Sequence, residues 1–158
     1  MIEEISIYIF ENFAKNLGKL VEGIVHKGNN VQVLCANKDE MKSIDTYLWT
    51  YSQLSFLPHA TTDDPFPHQQ PALLTIKIQD GANGARFLLC VDVIPEYEQL
   101  GNYEKVMLVG NKVDMQSTID GSAENDLYQE KLHRLQAHGL KVFLIRQGDD
   151  GRWDRRSL

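Results

Sequence analysis

The chain has 158 residues, 42% apolar and 24% charged, the proportions of one globular α/β-sized domain (residues 1–158) with a real core. No apolar run approaches the roughly 20 residues that span a bilayer, and the Met-Ile-Glu-Glu start lacks a signal peptide's basic stretch. The formal net charge of −6 excludes a broad basic surface that coats nucleic acid.

Ile5-Ser-Ile-Tyr-Ile-Phe10 reads as the first strand. Leu17, Leu20, Val21 and Ile24 then mark one face of a helix from Phe13, capped by Asn12 and stopped by Gly28. Val31 to Ala36 is the second strand. Asn37-Lys-Asp-Glu40 resembles a capping box and opens a helix to Tyr51, with Met41, Ile44, Leu48 and Tyr51 on its inner face. At about 100° per residue, Trp49 lies roughly 130° from the centre of that stripe. Phe56 follows where the helix has given way to a loop. Two large aromatics off the core stripe predict a surface that something covers.

Residues 58–71 hold four of the five prolines and predict an exposed loop. Leu73 to Ile78 and Phe87 to Val93 read as strands around the turn-rich Asp80-Gly-Ala-Asn-Gly84, and Lys105 to Val109 as another. Gly110 to Asn125 is a polar segment. Leu127, Tyr128, Leu132 and Leu135 point inward on a helix closed by Gly139; Lys141 to Ile145 is the last strand, followed by a Gly-rich turn and Trp153. Strands alternating with helices predict a three-layer α/β/α sandwich on a largely parallel sheet. An antiparallel pair within 73–93 would make that sheet mixed.

Charge is uneven. Residues 131–158 carry seven Lys/Arg against three acids, a balance of +4, and the first 130 carry nine against nineteen, a balance of −10. On the last helix Lys131, Arg134 and His138 share a stripe, with His133 off it. Such a stripe suits an acidic peptide ending in a carboxylate; the plainer reading is a solvated helix face.

Asn111-Lys112-Val113-Asp114, after a strand, resembles the guanine-specificity loop of GTPases. A nucleoside triphosphate also needs a Gly-rich phosphate loop with its Lys and Ser/Thr, and the first strand–helix connection contains no glycine. His59, Asp63, Asp64 and His68 have metal-ligand chemistry but lie on one proline-rich loop. His59 reads more simply as orienting that loop through a backbone hydrogen bond. Cys35 and Cys90 sit in apolar runs without a nucleophile elbow and fit buried thiols of a reducing compartment, so the cytoplasm is the expected location. Asp92, ending a strand without a partner acid or base, reads as a cap for a neighbouring loop. No metal or cofactor is expected.

The span from Val33 to His59 resembles the chi subunit of bacterial DNA polymerase III. It has a strand ending in Cys, then Asn-Lys-Asp-Glu, then Leu48-Trp49, then Ser55-Phe56-Leu57-Pro58-His59 without a gap. Weaker similarity runs through the Tyr-Ile-Phe start, Tyr103 to Val109 and Gln147…Gly151-x-Trp153. The resemblance implies a nucleotide-binding-like α/β fold without a phosphate loop. It also implies a non-catalytic accessory subunit of the clamp-loader assembly, linking a psi subunit to the acidic C-terminal tail of single-stranded-DNA-binding protein, with mostly indirect DNA contact. By residue match, Trp49, Phe56 and Pro58 belong to the psi-type interface. Lys131, His133 and Arg134 belong to the tail site, with Gln129 where the family's leading Arg is expected. The alternatives are a small GTPase-like enzyme built on Asn111–Asp114, and an α/β module for another DNA repair or helicase partner.

Overall fold

The computed structural model describes residues 2–54, 56–78, 82–121, 127–147 and 152–158. Ser55, residues 79–81 of the expected turn, 122–126 of the polar segment and 148–151 of the Gly-rich turn lie outside the described residues. The elements run β1 (Glu4–Ile9), α1 (Phe13–His26), β2 (Val31–Cys35), α2 (Lys38–Thr50), β3 (His59–Thr61), β4 (Ala72–Thr75), β5 (Phe87–Val91), β6 (Lys105–Val109), α3 (Met115–Asp120), α4 (Leu127–Ala137), β7 (Lys141–Gln147) and β8 (Trp153–Ser157). Single 3-10 turns lie at Pro67–Gln69 and Tyr97–Gln99.

The strands form one sheet in the order β3-β4-β2-β5-β6-β1-β7-β8, parallel throughout except for the β7–β8 pair. Parallel strands are covered on both faces and therefore read as continuous apolar runs, which is why every residue of β2 is buried. Alternation divides the core in two. Val33, Cys35, Leu89 and Val91 meet Leu17 and Val21 of α1 and Met41, Ile44 and Leu48 of α2. On the opposite face Leu88, Cys90, Val106 and Leu108 meet Met115 of α3 and Leu132 and Leu135 of α4. Full burial of a side chain such as Leu17 or Ile44 contributes about 1.5–3 kcal/mol. The result is the expected three-layer α/β/α arrangement.

Both helix caps are as expected: Asn12 accepts from the Lys15 amide at 3.2 Å and Asn37 from the Glu40 amide at 2.9 Å. Three expectations need correction. The antiparallel pair is not within 73–93, because β4 and β5 both run parallel to β2 on its two sides; it is β7 with β8. The 58–71 segment is not all exposed loop, since His59–Thr61 is a buried edge strand held by β4. The 110–125 segment contains α3, capped by Asp114 and closed by Gly121 in the left-handed region at φ 74°.

Candidate functional site

The C-terminal end of α2 carries the exposed aromatic surface. Tyr51 caps that end, its amide bonded to the Tyr47 carbonyl at 2.9 Å. Its ring lies against Gly18 of α1, where a β-carbon would collide with it, and its hydroxyl donates to Glu22 Oε2 at 2.5 Å. α2 is thereby fixed to α1 beside Trp49. Trp49 is 55% exposed and Phe56 68%, with ring centroids 5.9 Å apart. Behind Trp49 lies the buried ring of His59, 4.6 Å centroid to centroid.

Short contacts hold His59 in place. Its Nδ1 is 2.7 Å from the Leu57 carbonyl, which fits an N–H donating back along the chain, as the sequence suggested. Its Nε2 lies 3.0 Å from Asp45 Oδ1, off the line of a directed hydrogen bond. Leu57 is buried beneath the step and Pro58 is half-buried, so the chain turns inward directly after Phe56. The arrangement presents two aromatic rings on a rigid backing, suited to a partner's apolar pocket or helix.

The Asn111–Asp114 loop has a different occupation. The carboxyl ends of parallel strands are where α/β sheets bind ligands. Here Asp92, at the end of β5 with φ 59°, accepts from the amides of Asn111 at 2.8 Å, Lys112 at 3.0 Å and Val113 at 3.0 Å. A carboxylate of the chain itself thus fills this amide cradle. Asp114 caps α3, accepting from the Gln116 and Ser117 amides and from the Ser117 hydroxyl at 2.7 Å. The Ser117 bonds hold its carboxyl below the usual aspartate range. Lys112 pairs with Glu40 at the start of α2, which holds its ammonium above the usual value through a hydrogen bond and the opposing charge. The side chains of Lys112 and Asp114 and the backbone amide of Asn111 are thus all engaged by the fold.

On the opposite layer, Lys131, Arg134 and His138 of α4 line a cleft of about 170 Å³ against residues 95–98. The Tyr97 ring stacks on His138 at 4.2 Å, the ring planes nearly parallel at 2°. Two acids, Glu96 and Glu98, share the lining, and Arg134 is bonded to Glu130 at 2.8 Å. His133 is exposed and is not among the lining residues. Tyr97 escapes a sequence reading because only the fold brings it to α4; the Pro95-Glu96 step gives no hint of it.

The imagined metal set does not converge. His59 is buried under Trp49, and Asp64 accepts from the Thr61 amide at 2.8 Å and from its hydroxyl at 3.2 Å. Among the described residues no three His, Cys, Asp or Glu side chains gather. Burial pushes the Cys35 thiol up to about 12, helped by Glu40, and pushes Cys90 higher still.

Fold and site together define a nucleotide-binding-like α/β sandwich whose Asn111–Asp114 loop is closed by its own side chains and whose conspicuous exposed surface is aromatic. Residues 9–120 match the family model for the DNA polymerase III chi subunit, HolC, and the chain belongs to that family. A probable DNA polymerase III subunit chi of Rickettsia prowazekii (strain Madrid E) is 28% identical over 108 residues, which span 66% of this chain and 66% of that one. The family match includes Trp49 and Phe56 and ends before α4. The family is that of a DNA polymerase III subunit, a component of DNA replication. No described helix is long and apolar enough to cross a membrane.

Proposed function

We propose that residues 1–158 act as one cytoplasmic, non-catalytic unit that joins a psi-type clamp-loader partner to the acidic tail of single-stranded-DNA-binding protein. The observation that carries the reading is the Trp49–Phe56 pair, exposed yet rigidly backed by His59. Trp49, Phe56 and Pro58 form the partner-docking edge. Two aromatic anchors at the centre of an interface commonly dominate its energy. The test is capture of psi from a bacterial lysate, or titration of purified psi, with wild-type chain and Phe56→Ala. Equal binding by both proteins would sink the reading.

The tail half rests on the cleft beside α4. Lys131 and Arg134 supply the charge there, His133 stands outside as a long-range contributor, and Leu135 gives the cleft an apolar floor. Glu96 and Glu98 oppose the added charge, so tail binding is weak and confined to low ionic strength. A peptide ending in Asp-Ile-Pro-Phe should bind there through its free carboxylate, and its amidated form should not. No binding at low salt would remove this half and leave the psi reading intact.

A further inference from the structure

A second concavity lies elsewhere, on the α1 face of the sheet. The sandwich is incomplete there: beyond α1, no described helix covers β7 and β8 on that side. The groove so left holds about 660 Å³. Its floor is aromatic, with Tyr8, Phe10 and Trp153 in one cluster. Edge-on contacts to Tyr8 at 6.0 Å and Phe10 at 6.3 Å fix the Trp153 ring while it stays 48% exposed.

The rim is cationic. Lys19 of α1, Lys27 just after its end and Lys105 of β6 are exposed around the groove and make no ion pair among the described residues. Arg155 also lines it but is tied to Glu4 at 2.8 Å and lies over the Phe143 ring. Among the described lining residues Asp154 is the one acid. In a chain of net charge −6, three unpaired lysines around aromatic rings are a local reversal of sign.

Gly23 also lines the groove. It lies within α1, where glycine costs about 0.5–1 kcal/mol relative to alanine. Gly18 in the same helix is explained by the Tyr51 ring, but a β-carbon at Gly23 would meet nothing within 4 Å. The chain itself gives no steric reason for Gly23, and the space it leaves opens into the groove.

We infer that this groove binds single-stranded DNA, with bases stacked on Trp153 and Phe10 and phosphates held by Lys19, Lys27 and Lys105. Every base has a π-face, so aromatic rings beside lysines take a strand without reading its sequence. The volume suits a short run of flat rings better than an acidic helix about 10–12 Å across. The membership of a DNA polymerase III family puts DNA rather than RNA within reach. The excluded broad basic coat is no obstacle, since the charge here is local.

The test is fluorescence anisotropy of a labelled oligodeoxythymidine titrated with the full chain at low salt. Saturable binding should weaken with salt at a log–log slope of about −2, the value for three phosphate contacts on a single strand. Trp153→Ala should weaken it by at least about fivefold, the lower end for one lost base stack. Lys19→Glu with Lys27→Glu should weaken it further and flatten the salt slope, and Gly23→Leu should block the groove. Phe56→Ala should bind as wild type, which separates this groove from the partner-docking edge. Because Trp153 packs on two rings, the exposed lysine pair, on α1 and just after its end, carries the test should Trp153→Ala unfold. The proposal is overturned by absence of saturable binding, by binding indifferent to all these changes, by an oligouridine that binds more than about tenfold tighter, or by an acidic peptide that outcompetes the oligonucleotide.

Discussion

Tyr51 lies flat against the backbone of Gly18, so that the helix carrying Trp49 is keyed to its neighbour by the absence of a single side chain. Gly18→Ala should therefore push the Tyr51 ring aside and destabilise the fold by about 1–3 kcal/mol, as overpacking does. Gly23→Ala, five residues along the same helix with open space above it, should instead stabilise by about 0.5–1 kcal/mol. Urea melts of the two variants check this directly. A destabilised Gly23→Ala would show that its openness within the chain is not what retains glycine.

Phe56 and His59 belong to one surface but should fail differently. Phe56 is mostly exposed, so Phe56→Ala should leave the melting temperature unchanged while costing about 2 kcal/mol or more of partner affinity. His59 is buried between Trp49 and Asp45, and its loss removes both the backing of the Trp49 ring and the contact to the Leu57 carbonyl. His59→Ala should cost about 1–3 kcal/mol of stability and also weaken the partner. Calorimetry on both variants separates the roles; an unaltered melting temperature for His59→Ala would place the ring outside the core.

The parts legible in the sequence were those with a long period. α1 and α2 announce themselves through spaced apolar residues and Asn caps, and β2, β5 and β6 through runs buried on both faces. β3 is three residues long, directly follows Pro58, and becomes a strand only because β4 is there to pair with it. β8 is exposed along its whole length, so Trp-Asp-Arg-Arg-Ser offers no alternation to read. α3 did leave a signal, Asp114 before it and Gly121 after it, but six mostly polar residues carry no apolar stripe. Of the candidate site, Trp49 and Phe56 were visible as aromatics off the stripe, and Lys131, Arg134 and His138 as a stripe of charge. Their opposition by Glu96 and Glu98 was not visible, because it is a tertiary contact.

Both thiols should be inert in the folded protein. Burial raises Cys35 to about 12 and Cys90 beyond it, so the thiolate fraction at pH 8 is negligible and access is blocked as well. A chromogenic disulfide reagent at pH 8 should report no free thiol until denaturant is added, then two per chain. Rapid labelling of one thiol in the native protein would reveal local opening around β2 or β5.

Asp114 should give the α3 cap a pH dependence of definite sign. Its folded carboxyl is held below the ordinary value by the Ser117 hydroxyl and amide, so the ionised form is the stabilising one. That contribution is complete above the unfolded aspartate value of about 3.9 and is lost as pH falls through the lower folded value. The stability difference between wild type and Asp114→Asn should therefore be constant near neutrality and shrink only in acid. A difference that grows on acidification would reverse the assigned role.

The guanine-loop likeness of Asn111–Asp114 leads to the opposite expectation once Asp92 is in place. A carboxylate accepting from the amides of Asn111, Lys112 and Val113 already supplies the negative charge that a phosphate or base edge would bring. Asp114 and Lys112 are likewise committed, to α3 and to Glu40. Titration with a fluorescent guanine nucleotide in Mg²⁺ should give no saturable signal, and saturable micromolar binding would restore the enzyme reading. Asp92→Asn removes the charge while keeping a residue type that tolerates φ 59°, so its cost isolates the loop cap. That cost should be about 1–3 kcal/mol, because amides bonded to an ionised acceptor lose their best partner. A neutral Asp92→Asn would mean that the loop holds its shape without the carboxylate, leaving the cradle open to an outside anion.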